Sequence, residues 1–172
     1  MGKIVLYIAA SLDGFIADEN GGVGWLDEYQ IPNEDYGYKD FLTTLGAVVM
    51  GSKTYEQILT FNHWYENVEG YVFTSRILPV VKDESISFIN GEPRPLIEKL
   101  RLLEKDSWLV GGANLITRFV NERLLDELIL TIIPKVLGKG IPLFTGIKKL
   151  NILELKEYKI YPNSVVQLSY KF

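Results

Sequence analysis

The chain has no cysteine, one histidine (His63) and only two methionines among its 172 residues. Without cysteine there are no disulfides, no thiol catalysis and no cysteine metal centre, and the composition fits a cytoplasmic protein. A single histidine without cysteine partners is poor material for a metal site, so no metal is expected, and His63 is assigned to a surface loop within the aromatic stretch Phe61-Asn62-His63-Trp64-Tyr65. Basic runs are missing too. The net charge of −4 and pI near 5.1 argue against a nucleic-acid binder, which needs a basic face, and no Lys/Arg cluster suggests a membrane surface. The apolar run Ile4 to Leu12 is too short to span a bilayer and ends at Asp13-Gly14, so it predicts a buried strand. Position 6, where a myristoylation motif needs Ser or Thr, is Leu6.

Several nucleotide and hydrolase signatures are missing as well. There is no G-x-G-x-x-G and no G-x-S-x-G. Gly46 to Thr54 approaches a P-loop, but Ser52 intervenes between Gly51 and Lys53, where the motif requires lysine directly after glycine.

What is present is an alternation of short buried runs and helical periods, sufficient for one domain over residues 1–172. Trp108-Leu109-Val110 stops at Gly111-Gly112, and Ala113 to Asn121 then carries Leu115, Ile116, Phe119 and Val120 on one helical face. A further buried run, Leu128 to Ile133, ends at Pro134. The same strand–glycine–helix grammar occurs at Ala47-Val48-Val49-Met50, followed by Gly51-Ser52-Lys53-Thr54, with Ser52 the expected N-cap. Lys3 to Ala10, Tyr71-Val72-Phe73 and Ile86 to Ile89 predict further strands. Helices are predicted over residues 33–44 and 94–104. Residues 11–32, with Gly14, Gly21, Gly22 and Gly24, show no period and predict a long binding loop or lid; residues 136–144 predict another loop. Ile152 to Tyr161 and Val165 to Phe172 flank Pro162-Asn163 as a hairpin. The expected architecture is α/β in three layers, with a mixed, mostly parallel sheet and a C-terminal antiparallel hairpin.

In such sheets ligands bind beyond the carboxyl ends of the strands. Three strand ends here carry phosphate chemistry: Gly51-Ser52-Lys53-Thr54, Thr74-Ser75-Arg76 and Gly111-Gly112-Ala113-Asn114. Two supply helix N-termini, two supply hydroxyls, and Lys53 and Arg76 supply cations. Together they point to a dinucleotide.

These junctions, in this order, resemble the dihydrofolate-reductase-like family, and most closely its bacterial branch that includes the reductase domain of riboflavin biosynthesis. The resemblance rests on residues 11–17 (SLDGFIA), 49–56 (VMGSKTYE), Thr74-Ser75-Arg76, Gly111-Gly112-Ala113, Leu125-Asp126-Glu127-Leu128 and the stretch from Pro134 to Phe144. It implies NADPH-dependent reduction of a pterin- or pyrimidine-like ring. Ala10 and Ile16 would line the nicotinamide pocket. Gly51 to Thr54 and Gly111 to Asn114 would hold the diphosphate, and Thr74, Ser75 and Arg76 the adenosine ribose with its 2′-phosphate. Ser52 stands where the family usually places arginine, which removes one phosphate-binding charge. For the proton source, counting from Pro32 gives Glu34, counting back from Gly51 gives Asp35, and counting from Phe41 gives Gly37, which carries no acid. A catalytic Asp35 or Glu34 would need to face the cleft, where desolvation would raise its pKa. The branch resembled commonly dimerises, so a homodimer is expected. The alternative is a dinucleotide-binding module without chemistry.

Overall fold

The computed structural model describes residues 1–61, 64–80 and 85–172; His63 lies outside them. Its centre is an eight-stranded sheet in the order β5-β4-β3-β6-β1-β7-β10-β9. The strands are β1 (Ile4–Ser11), β3 (Leu45–Gly51), β4 (Glu69–Phe73), β5 (Ile86–Ile89), β6 (Asp106–Gly111), β7 (Glu127–Ile133), β9 (Glu154–Ile160) and β10 (Val166–Lys171). All neighbours from β5 to β7 are parallel, whereas β10 runs antiparallel to both β7 and β9. The expected mixed sheet with a terminal hairpin is therefore present.

The alternation of side chains along β3 sorts the core into two halves. Ala47 and Val49 point to one face, Val48 and Met50 to the other, and none exposes any surface. On the first face lie α3 (Arg94–Arg101) and α4 (Ala113–Asn121), which bury Leu96, Ile97, Leu100, Leu115, Ile116 and Phe119. On the second lie α1 (Tyr38–Thr43) and α2 (Ser52–Thr60), through Phe41, Tyr55 and Ile58. These are the three layers. After α2, Trp64 and Tyr65 are buried in this second half-core, and Tyr65 meets Trp108 edge-on at 5.3 Å.

Three expectations need correction. Residues 11–32 are not structureless: β2 (Phe15–Ala17) pairs antiparallel with β8 (Ile141–Pro142), and Gly24–Tyr29 forms a 3₁₀ helix. The helix expected from residue 33 begins only at Tyr38, because Asn33, Tyr36 and Gly37 all hold positive φ. Ser52 is the first helical residue of α2, and Gly51 occupies the N-cap.

Gly70 shows how tightly the second half-core is filled. A Cβ built there would stand 2.6 Å from Trp64 Cζ2 and 3.3 Å from Ile86 Cγ1. Gly70→Ala is therefore expected to push the Trp64 indole out of place and cost about 1–3 kcal/mol. Urea unfolding of the variant measures that loss.

Candidate functional site

The chain enters α2 directly from β3 and enters α4 directly from β6. Strands β3 and β6 are parallel neighbours, with Val49 opposite Leu109 and Met50 opposite Gly111. Yet α2 packs on one face of the sheet and α4 on the other. Beyond the carboxyl ends of β3 and β6 the two helices diverge, which leaves a crevice between their N-termini. Such a switch point is where open α/β sheets bind ligands.

Both N-termini are bare. The N-caps are Gly51 and Gly112, neither helix has a side-chain cap, and neither carries an acidic residue in its first turn. The free N–H groups and the positive dipole ends are thus left to an external anion. The backbones come close here: a Cβ on Gly51 would meet Gly111 O and Gly112 N at 3.9 Å, and one on Gly112 would meet Thr54 Oγ1 at 3.4 Å. Gly111 has φ +134, and the Gly111–Gly112 peptide bond is cis. The two junctions, Gly51, Ser52, Lys53 and Thr54 on one side and Gly111, Gly112, Ala113 and Asn114 on the other, thus bring main chain and the Thr54 hydroxyl together at bare helix ends, an arrangement suited to an anionic group.

The third junction adjoins the first two, because β4 is the other neighbour of β3. Past its end, the Arg76 N–H donates to Thr74 Oγ1 at 2.9 Å. The Arg76 guanidinium is paired with Glu56 of α2, at 3.0 and 2.7 Å. This pairing holds the Glu56 carboxyl below its usual range. The loop continues to Pro79, whose carbonyl accepts the Tyr55 hydroxyl at 2.7 Å. Lys53 and Ser75 are exposed.

On the other side of β6, β1 presents Ala10 at its carboxyl end, buried opposite Ile132. Ala10 lines a cavity of about 350 Å³ together with Ser11, Asp13, Leu130, Ile132 and Leu143. Ile16, on β2, is half-buried against the α3–α4 half of the core.

The glycine-rich stretch expected to be a binding loop or lid is strapped down. Leu12 N–H donates to Lys135 O at 2.7 Å, and Leu143 N–H to Gly14 O at 2.9 Å. Asp13 sits between these ties. Its carboxylate accepts the Ser11 hydroxyl at 2.6 Å and the backbone N–H groups of Leu137 at 3.0 Å and Gly138 at 2.8 Å. The Ser11 hydroxyl first, then these amides, lower its pKa. Lys135 ties the far end of the loop, donating to Trp25 O at 2.9 Å and pairing with Glu28. Asp13 lies in the SLDGFIA stretch, but its two amide partners lie 124 and 125 residues away in sequence, where no local pattern points.

Glu34 and Asp35 lie in the turn ahead of α1. Both hydrogen-bond within their own turn. Glu34 Oε1 accepts the Tyr36 N–H at 2.8 Å, and Asp35 accepts the N–H groups of Gly37 and Lys39, each at 3.1 Å. The expected upward pKa shift of Asp35 is reversed, because the Lys39 and Gly37 amides stabilise the ionised carboxylate. Gly37, the third candidate position, is the left-handed N-cap of α1. A polar network that sequence inspection missed lies beside this turn. The Tyr7 hydroxyl donates to Tyr36 O at 3.0 Å, and buried Gln167 donates to Tyr36 O and Thr131 Oγ1, each at 3.0 Å. Burial pushes the Tyr7 phenol up to about 12. A lone Tyr, Thr or Gln inside an apolar strand gives no sequence signal for such a network.

The chain is similar to known proteins over nearly its whole length. A sequence model of the family described as RibD C-terminal domain matches residues 2–166. The uncharacterized protein YwjB of Bacillus subtilis (strain 168) is 44% identical over 172 residues, covering 98% of this chain and 97% of its own. Among solved structures, a provisionally named riboflavin biosynthesis protein from Shewanella sp. PV-4 superposes with a TM-score of 0.88 at 26% identity, covering 98% of both chains. A dihydrofolate reductase from Enterococcus faecalis, solved with NADP(H), shares the fold at a TM-score of 0.71 and 18% identity, with 99% of this chain and 96% of that one covered.

The Asp13 strap is testable apart from any activity. Asp13→Asn is expected to speed hydrogen exchange at the Leu137 and Gly138 amides while leaving the β1 amides protected. Because ionisation favours the folded form of Asp13, the wild-type strap holds above the ordinary carboxylate range and is lost as pH falls through its lowered folded value. Exchange at those two amides that is equal in wild type and variant would show that Asp13 does not fasten the loop.

Proposed function

This chain belongs to the RibD C-terminal domain family, and from that premise we propose that it is a cytoplasmic, NADPH-dependent reductase of a small heterocycle, of the pterin or ribosylaminopyrimidine type. The observation that carries the reading is the pair of uncapped helix N-termini flanking the β3–β6 crevice. Gly51 to Thr54 and Gly111 to Asn114 bind the diphosphate, Thr74, Ser75 and Arg76 meet the adenosine ribose and 2′-phosphate, and Ala10 and Ile16 line the nicotinamide end. When bound, the dinucleotide supplies a hydride from its nicotinamide C4.

The chain's own contribution is positioning, exclusion of water and access for one proton. The strapped loop over residues 12–25 walls one side of the nicotinamide end, and Ala10 lets a flat ring approach the β1 backbone. Asp35, kept ionised by the amides of Gly37 and Lys39, is a poor acid near neutral pH. We assign the proton to water or to a tyrosine of the Tyr36–Tyr38 turn.

A homodimer is the proposed assembly. Leu155, Tyr158 and Ile160 of β9 lie opposite Tyr170, Leu168 and Val166 of β10, which lie opposite Leu128, Leu130 and Ile132 of β7. Opposed residues share a face, so these nine residues form three apolar rows. The outermost row is open, at 49%, 66% and 71% exposure for Leu155, Tyr158 and Ile160. An uncovered apolar surface of this kind marks an association site.

Three sets of measurements test these readings. NADPH oxidation is followed against a panel of pterins and ribosylaminopyrimidines, with binding measured alongside; binding with no turnover on any of them favours a dinucleotide-binding module without chemistry. With an active substrate in hand, Asp35→Asn and Glu34→Gln are each expected to keep turnover within about threefold, whereas a loss of about 10²–10⁴ would return that carboxylate to the role of general acid. Light scattering at micromolar concentration is expected to show a dimer, and Tyr158→Glu a monomer. A monomeric wild type would remove the apolar rows as an interface.

A further inference from the structure

Glu56 stands four residues after Ser52, so it lies on the same side of α2, one turn inward from the diphosphate cradle. Its carboxylate accepts hydrogen bonds from both terminal nitrogens of Arg76, at 3.0 and 2.7 Å, while the Thr74 hydroxyl holds the Arg76 main chain. Arg76 is therefore held at its main chain by Thr74 and at its guanidinium by Glu56. The two side chains are 51% and 42% exposed, and an ion pair that open contributes little to folding. We propose that Glu56 sets the choice between NADPH and NADH: it occupies the N–H pair of Arg76 that a 2′-phosphate requires, and so keeps the preference for NADPH narrow.

This inference rests on the proposed reading of Arg76 as facing the adenosine ribose. A 2′-phosphate carries close to two negative charges and would lie beside an ionised carboxylate, competing with it for the same donors. A 2′-hydroxyl carries no charge and can donate to that carboxylate. Two cations, Arg76 and Lys53, act on Glu56, and both favour its ionised form. Removing the carboxylate charge leaves both cations to the phosphate; it leaves a bare ribose with one acceptor fewer. Ser52, the first residue of α2, adds no charge to offset Glu56.

Dissociation constants for NADPH and NADH, measured by calorimetry on wild type, Glu56→Gln and Glu56→Asp, decide the matter. Glu56→Gln is expected to raise the NADH-to-NADPH ratio of dissociation constants by about tenfold or more, through tighter NADPH. Glu56→Asp is expected to keep the wild-type ratio. Melting temperatures are recorded for each protein. An unchanged ratio in Glu56→Gln, with or without a lower melting temperature, overturns the proposal and leaves the pair as a tie between α2 and the loop after β4. Equal changes for both dinucleotides overturn it as well. If wild type binds neither dinucleotide, the inference falls together with the proposed function; if it binds them and the ratio does not respond, the inference alone falls.

Discussion

The parallel pairing of β3 with β6 is the constraint on which the rest depends. Both strands are buried on both faces, so their residues must be apolar and their register firm: Val48 faces Trp108 and Val49 faces Leu109 in the ladder. The ladder shifts register between Val49 and Met50, which brings Met50 opposite Gly111. The two glycine junctions then end level with one another. Had the register slipped by one residue, Gly51 and Gly111 would part and side chains would turn toward the wrong half of the core. β4 and β1 flank this pair, so Thr74 to Arg76 and Ala10 fall into place at the same edge of the sheet.

An acidic chain proposed to bind an anionic dinucleotide needs local compensation, and the proposed site would supply it mostly without charged side chains. Two helix ends and the main chain between them would provide the attraction, at no cost in net charge. The formal cations sit only at the rim. The opposite edge of the sheet follows a different logic. β9 is an edge strand, and Lys156, Lys159 and a register irregularity at Ser169/Tyr170 discourage indiscriminate pairing along its open hydrogen-bonding side, while its apolar rows lie on the face.

Much of this was legible in the order of residues because it is written locally. A buried strand that stops at glycine and yields to a helical period, as at Val110-Gly111-Gly112-Ala113, announces both elements and the junction between them. The α4 face formed by Leu115, Ile116, Phe119 and Val120 was visible from spacing alone and is buried as expected. Contacts made at a distance were not legible. β2 is three residues long and exists only because β8 lies beside it, and the Asp13 carboxylate finds its amides across the chain. Neither leaves a period. The late start of α1 was hidden for another reason: Tyr36 takes a left-handed backbone angle that its residue type, unlike Asn33, does not advertise. The pairing of Arg76 with Glu56 joins a helix to a loop twenty residues away, and composition saw only a cation.

The loop strapped by Asp13, Lys135 and the β2–β8 pairing has a thermodynamic consequence. A loop that must order itself around a ligand surrenders chain entropy at that moment, and the affinity is diminished accordingly. Here that entropy is surrendered during folding, so docking beside it resembles the meeting of two rigid bodies. The heat-capacity change of association should then reflect only the surface brought into contact, without the larger signature of coupled folding.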